Sequence, residues 1–585
     1  MSATAERQPE RWRGRAVSLR LKQRQDVRVV EQDVTGAARG GKGNAAARAL
    51  KVLLFLILVA LVLVLVALQQ RALGGYGAEM SADNADEASH FISGLMIADY
   101  LRSGLSQHPL AFATDYYLHL PKVAIGHWPP LYYLAEAGLF LALPPTTPVA
   151  LLLPALLAAL LVVTTGWVAA RALGPLQGVA VGVVLLAAPL LRQAMLVIQL
   201  DLPVAFLALL ATLAYARFLR TQRVGPAALF GLIASIAILT KGTAAALALL
   251  PPLVVLLGGR FRLMLRWGFW VPLPIVLVLA GPWTVMTAKM AANGFQYEAG
   301  VDFIDLAIAT YADGLSAALG GLLLLLAGVG MLLAVVRSWR GRAQADLWVA
   351  LVALAVAFFV FHCLMPSGLD PRYMLPVVAP LILLAAYGAT GLLGMLTTGW
   401  PTLKGLVAAL VLLIGALPAL MTPVEKRPIG MGAAAEAFLA GRPDNPLVLV
   451  GSDAMGEGAF ISTIGQQDRA RRIIVLRGTK MLARTDWNAT SYRPLAKDAA
   501  DLLRQLDAVG VGHVVVDTSA AAQALPHDRQ LEEAIAAFPE RFRLIASYPR
   551  ADARGEVRLY ELTGNGDRTP DMKDLAARIM ADKAN

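Results

Sequence analysis

SADNADEASH, residues Ser81–His90, opens a fifty-residue stretch that closes on GHWPP, residues Gly126–Pro130. Asp83, Asp86, Glu87 and His90 stand near its start, and Tyr116-Tyr117, Lys122 and His127-Trp128 follow. Carboxylates, imidazoles and aromatics are concentrated here, between apolar segments of a chain that is otherwise mostly hydrocarbon. This stretch reads as half of an active site, and its position between apolar segments decides how the rest of the chain is folded.

Of the 585 residues, 57% are hydrophobic and only 16% charged, with a mean hydropathy of +0.59. These values are far from the globular average and indicate a polytopic α-helical membrane protein. The first fifty residues carry eleven Lys or Arg against five Asp or Glu. That asymmetry reads as a cytoplasmic, solvated and disordered tail over 1–50. It has no zinc-ligand spacing and no interleaved aromatic platform, so nucleic acid is not an expected partner. The single cysteine, Cys363, excludes an intramolecular disulfide framework or a CxxC site and reads as a space-filling residue.

Lys51 to Leu68 is apolar, preceded by basic residues, and long enough to cross a bilayer. Further apolar segments begin near Pro129, Val149, Leu176, Leu202, Ala227, Thr243, Gly268, Leu315, Leu347, Met374 and Gly405. Three loops rich in arginine, with Arg217, Arg220 and Arg223, then Arg260, Arg262 and Arg266, then Arg337, Arg340 and Arg342, are expected on the cytoplasmic side. Alternation then places the Ser81–Pro130 loop, Asp201, Lys241 and Arg372 outside. Parity fails unless one segment does not cross. Pro129–Leu143 is short and starts on two prolines, which nominates it as a re-entrant or partial helix. About eleven true spans remain, within a range of 11–13 transmembrane helices, and the carboxyl terminus lies outside.

From Pro423 the composition is that of a soluble protein. Short apolar runs at Leu447–Val450, Ile473–Leu476, His513–Val516, Leu544–Ala546 and Val557–Leu559 alternate with helical stretches. The pattern predicts an α/β domain over 423–585, extracytoplasmic, with a mostly parallel sheet. Gly451-Ser452-Asp453 follows the first strand, where such folds often bind ligands, but no nucleotide-binding glycine spacing accompanies it. Recognition or bracing is the expected role of this domain.

Charged groups at membrane depth are costly and, where retained, usually functional, which singles out Asp201, Lys241 and Arg372. Snorkelling at span ends alone could account for the two cations. Asp86 and Glu87 stand four and three residues before His90, a spacing that puts at least one carboxylate and the imidazole on one helix face. Asp86 also reads as a simple amino-terminal cap of the following helix, and Asp83 as a second candidate cap. His127 beside the proline pair reads either as a hydrogen-bonded structural residue or as a metal or phosphate contact. Converging cations can hold a lipid phosphate, and a carboxylate can deprotonate an attacking hydroxyl.

The order of these motifs resembles the GT-C superfamily of integral-membrane glycosyltransferases, most of all the branch of protein O-mannosyltransferases and bacterial lipid A aminoarabinose transferases. The matching residues are Asp86-Glu87, Pro129-Pro130-Leu131-Tyr132-Tyr133, Asp201-Leu202-Pro203, Thr240-Lys241-Gly242 and Asp370-Pro371-Arg372-Tyr373 with Leu375-Pro376. They span Val52 to about Leu420, the membrane domain being 51–422 with its external loop at 69–128. The resemblance implies inverting transfer of one sugar, a hexose or pentose, from a polyprenyl-phosphate donor to a hydroxyl or phosphate of a glycolipid, lipid A or protein, on the outer face of a bacterial-type inner membrane. It implies Asp86, with Glu87 beside it, as the base or acceptor-orienting carboxylate, Asp201 as a second acidic site residue, and Lys241 and Arg372 as donor-phosphate ligands. Relatives carry a charged residue before the proline pair, where this chain has His127-Trp128. Lys122 is the nearby substitute cation, His90 and His127 stand as acceptor or metal candidates, and a divalent metal is left open as cofactor. The rival readings are a transporter or flippase for lipid-linked sugars and a non-catalytic envelope scaffold.

Overall fold

A computed structural model describes residues 49–564 apart from 125, 293, 343–344, 397–398, 485–491 and 552–553. The expected basic tail, up to residue 48, lies outside the described residues.

Among the described residues seven helices are long and apolar enough to cross a membrane: Ala49–Ala72, Thr147–Leu173, Asp201–Thr221, Val301–Trp339, Asp346–Leu364, Pro371–Leu396 and Pro401–Met421. An eighth span is the pair Trp267–Leu279 and Gly281–Ala292, bent by 62°. By length alone this falls short of the eleven to thirteen expected from the apolar segments. Three shorter apolar helices, Pro175–Ala187, Val224–Ile238 and Gly242–Gly258, account for the difference. Each is limited by a helix breaker: Pro189 follows the first, the Lys241-Gly242 turn ends the second, and the third is a 3-10 helix until Leu249.

Helices approach closely where side chains vanish. Val301–Trp339 and Pro371–Leu396 meet through Gly330 and Gly388: a Cβ on Gly330 would collide with the Leu384 carbonyl, and one on Gly388 with the Leu326 carbonyl. This contact of small residues is a common means of membrane helix association. The same two helices also meet at the start of Pro371–Leu396, where Arg372 stands: a Cβ on Gly314 would lie 2.8 Å from Pro371 Cβ.

The stretch expected to be external folds into helices Glu87–Arg102, Pro109–His119 and Leu131–Ala142. The nominated partial helix is Leu131–Ala142: 12 residues, about 18 Å of rise, too short to cross. It packs on Glu87–Arg102, with Glu136 pressed against Gly94.

The carboxyl-terminal region has strands β1 Leu447–Gly451, β2 Ile474–Arg477, β3 Ala483–Arg484, β4 Arg493–Pro494, β5 His513–Asp517, β6 Phe542–Pro549 and β7 Glu556–Leu562. The main sheet has the order β2-β1-β5-β7-β6. All five expected apolar runs are strands of it, but the sheet is mixed rather than mostly parallel. β1 runs parallel to β2 and β5, whereas β6 and β7 form a hairpin, so β7 joins β5 antiparallel.

The external helices and the sheet share one hydrophobic core. Phe91, Ile92, Leu95, Tyr116 and Phe140 are buried in the same cluster as Val450, Ile461, Ile464 and Val475. Helix Ala454–Gln467 meets Glu87–Arg102 through glycines: a Cβ on Gly458 would lie 2.6 Å from Ser81 Oγ, and one on Gly465 2.8 Å from Ile92 Cδ1.

Gly388→Val is expected to destabilise the membrane domain by about 1–3 kcal/mol or more, because the clash is with backbone. Thermal unfolding of the detergent-solubilised protein measures it, and an unchanged midpoint would contradict the packing described.

Candidate active site

Arg372 sits in the Pro371–Met374 turn, and Asp370 aims it. The Asp370 carboxylate accepts from the Arg372 backbone N–H at 2.9 Å and lies 3.0 Å from Nε. The guanidinium then reaches two carboxylates from remote segments, donating through Nη2 to Asp86 Oδ2 at 3.0 Å and standing 3.9 Å from Asp201 Oδ2. Lys241, held in the turn after Val224–Ile238, donates to Asp201 Oδ1 at 2.6 Å. Both cations lie over the Tyr373 ring, Lys241 Nζ at 4.5 Å and Arg372 Cζ at 5.5 Å from its centroid. Four of the expected site residues, Asp86, Asp201, Lys241 and Arg372, thus meet in one charged cluster.

Asp86 occupies the N-cap position of Glu87–Arg102, but its side chain makes no capping hydrogen bond. Capping therefore does not explain the carboxylate; its partner is Arg372. Burial alone would raise its pKa, yet the Arg372 guanidinium, by its charge and its hydrogen bond, holds it below the usual carboxylate range. Asp201 is the first residue of its helix, where the helix dipole favours a negative charge.

The other expected residues lie around the cluster with different partners. Glu87 is fully buried and paired with Lys426, whose Nζ donates to both carboxylate oxygens at 2.8 and 2.7 Å. It also accepts from the backbone N–H groups of Ser81 and Ile198. Such a saturated carboxylate has no acceptor position left for substrate. Lys122 donates to the carbonyls of Ala85 and Ala454, at the seam between the external helices and the sheet domain. Burial pulls its pKa down to about 7. It does not join the cation pair.

His90 is buried, with Nδ1 2.9 Å from the Tyr133 hydroxyl and its ring 4.7 Å from that of Trp128. Burial pushes its pKa to about 4 against the opposing pull of Asp86, so the imidazole is neutral near pH 7. His127 packs edge-on against the other side of this aromatic group, 4.5 Å from the Trp128 ring, and burial lowers its pKa as well. Among the described residues no three His, Cys, Asp or Glu side chains come together in a way that could hold a metal ion. Asp86 and Asp201 are instead turned toward cations, Arg372 and Lys241.

Sequence reasoning missed two contributors. His362, in Asp346–Leu364, stacks on Tyr373 with ring centroids 5.2 Å apart and planes at 16°. A lone imidazole inside an apolar run is itself a membrane-depth signal that could have found it. Lys426 gave no such signal, because Glu425-Lys426-Arg427 reads as a solvated linker.

In the carboxyl-terminal domain the crevice beyond β1 and β5 is filled by the protein's own groups. Ser452 donates to Asp517 at 2.6 Å, Arg550 pairs with Asp517, and Asp453 caps the next helix. A Cβ on Gly451 would meet Asp528 Oδ1 at 2.8 Å. This filled crevice fits bracing better than nucleotide binding.

No family model matches the chain, and no curated protein does. Among solved structures it is similar to ArnT from Cupriavidus metallidurans in the apo state, with a TM-score of 0.50 and 16% identity over 88% of this chain and 98% of that one. The structure of ArnT bound to undecaprenyl phosphate gives the same score and identity over 88% and 99%. The oligosaccharyltransferase of Archaeoglobus fulgidus in the apo form has a TM-score of 0.48 at 12% identity, over 90% of this chain and 78% of that one. ArnT is a GT-C glycosyltransferase, and at this identity the likeness is one of fold: the chain is a multi-pass membrane protein with the GT-C architecture and a carboxyl-terminal sheet domain.

Proposed function

We propose that this chain is an inverting membrane glycosyltransferase that takes a hexose or pentose from a polyprenyl-phosphate donor and passes it to a hydroxyl or phosphate of a glycolipid, lipid A or a protein. The observation that carries the reading is the convergence of Arg372, Lys241, Asp86 and Asp201 from four distant segments into one partly buried cluster. The ArnT structure with undecaprenyl phosphate supports a lipid phosphate as the group the two cations meet.

In the free protein Arg372 and Lys241 are held by carboxylates. Donor phosphate oxygens compete for the same N–H groups, and Arg372 offers a fork suited to them. As its guanidinium turns to phosphate, Asp86 is released to accept the proton of the attacking hydroxyl. The acceptor oxygen forms a bond to the anomeric carbon from the face opposite the phosphate, the carbon–phosphate oxygen bond breaks, and the proton passes to Asp86. The departing polyprenyl phosphate gains one negative charge, which Arg372 and Lys241 stabilise. Asp201 anchors Lys241, and Glu87, saturated by Lys426 and two backbone groups, positions the loop. A single displacement needs one base and no covalent carboxylate, in contrast to retaining glycosidases.

The cluster residues come from helix starts and turns: Asp86 before Glu87–Arg102, Asp201 opening its span, Lys241 between two helices and Arg372 in a turn. A transporter would carry its charges near the midplane in repeated broken helices. In this reading the site faces the outside of a bacterial-type inner membrane, the amino terminus is cytoplasmic, 51–422 is the transferase domain and 423–585 lies outside.

Asp86→Asn keeps the shape but cannot take the proton, and is expected to lower transfer by roughly 10²–10⁴-fold. Mass spectrometry of envelope glycolipids and glycoproteins, in cells lacking the protein and complemented with the variant, reads the loss; full activity would contradict the assignment. Because Arg372 depresses the Asp86 pKa, the carboxylate stays ionised as pH falls through the ordinary aspartate value of about 3.9. The acid limb of kcat/KM, which reports the free enzyme, is therefore expected below that value, and a limb at pH 5–6 would contradict it. Arg372→Gln and Lys241→Met are each expected to weaken undecaprenyl phosphate binding by roughly 10–100-fold, as loss of a charge-assisted hydrogen bond does. Native mass spectrometry in detergent measures this, and unchanged binding in both variants would count against the phosphate site.

A further inference from the structure

Lys426 lies in the linker between the last membrane helix and the sheet domain, yet its side chain is fully buried and so is that of Glu87. The pair is tied to four other points. Lys426 Nζ donates to the Leu196 carbonyl at 3.2 Å, and its backbone N–H donates to the Leu73 carbonyl at 2.8 Å. Glu87 accepts from Ser81 N–H at 2.8 Å and Ile198 N–H at 3.1 Å. A Cβ on Gly74 would collide with the Lys426 carbonyl, so the linker is pressed onto this turn.

The position of the knot in sequence matters more than its strength. Glu87 is the residue after Asp86, and Ile198 precedes Asp201 by three. One ion pair therefore holds the backbones that carry the two carboxylates flanking Arg372. On the other side of Asp86, Lys122 Nζ bridges the Ala85 and Ala454 carbonyls at 3.4 and 3.1 Å. Asp86 is thus fixed from both neighbours by lysines that reach the linker and the sheet domain. Its backbone carbonyl accepts from the His90 N–H at 3.0 Å, but its side chain makes no cap bond that would aim it toward Arg372.

We propose that Lys426, acting through Glu87, is a positioning residue that sets the spacing of Asp86 and Asp201 about Arg372, and that the linker and sheet domain thereby control the proton-accepting carboxylate. The catalytic part of this inference rests on the transferase reading above; the geometric part does not.

The test uses the full-length protein carrying Lys426→Met together with Glu87→Gln, which removes both charges and leaves neither buried alone. An experimental structure of this variant reads the Asp86–Arg372 contact, 3.0 Å in the native chain. The expected result is a separation beyond hydrogen-bond range, over about 3.5 Å; a contact kept at its native length overturns the proposal. Transfer is read in the same variant with and without Asp86→Asn. The paired variant is expected to lose roughly 10–100-fold in turnover, as small misplacements do, with undecaprenyl phosphate binding retained or tightened, because Asp86 no longer competes for the Arg372 N–H groups. Adding Asp86→Asn should then bring transfer only to the level of Asp86→Asn alone, whereas independent, multiplying losses overturn the proposal. Should the paired variant fail to fold, Lys426→Arg keeps the charge with a larger head group and is read in the same two ways. If Asp86→Asn alone leaves transfer intact while the paired variant loses the Asp86–Arg372 contact, the transferase reading fails and the positioning inference stands.

Discussion

The Arg372 guanidinium, held among Asp370, Asp86 and Asp201, is the interaction on which the rest of this structure depends. The guanidinium meets three carboxylates at one point, so that each of these groups faces an opposite charge. Asp370 fixes the direction of the fork from two residues away. Asp86 and Asp201 come from remote segments, so the fold must bring their backbones to the same place. Lys241 and the Tyr373 ring complete the arrangement by occupying the other oxygen of Asp201 and the face beneath both cations. A phosphate can enter such a site by exchange, replacing carboxylate as the partner of N–H groups that are already oriented.

That exchange requires a rigid frame, which the external helices and the sheet domain supply together. They share one apolar core, and their closest approach is through glycines on Ala454–Gln467. The Glu87–Lys426 pair adds a polar fastening inside the same assembly. Removing one partner of such a buried pair typically costs about 3–5 kcal/mol, because the other is left uncompensated. A buried pair is weak evidence for net stability, but it is well suited to fixing register between segments far apart in sequence. The filled crevice beyond β1 and β5 agrees with this division of labour: the domain's polar groups are used internally, and its outer helix is used against the loop.

Much of this was legible in the sequence, and the parts that were not have physical reasons. Intramembrane charge marked Asp201, Lys241 and Arg372, since charge at that depth is seldom retained without use. The short proline-led segment was recognisable as a partial helix, and the five strands as apolar runs of strand length. The membrane count was less legible, because a 3-10 turn or a proline shortens a helix without changing hydropathy. The antiparallel β7 escaped because strand direction depends on a hairpin, Pro549 to Glu556, that composition does not encode. Glu87 and Asp86 are adjacent in sequence yet point to different partners, Lys426 and Arg372. Spacing alone could not separate them, since the deciding partners lie hundreds of residues away.

The central claim is that Arg372 and Lys241 exchange carboxylate for lipid phosphate and so release Asp86. An experimental structure of the full-length protein with undecaprenyl phosphate bound tests it most directly. The account predicts phosphate oxygens within hydrogen-bond distance of both cations, with the Asp86–Arg372 contact opened. Phosphate bound elsewhere, with that contact intact, would contradict it.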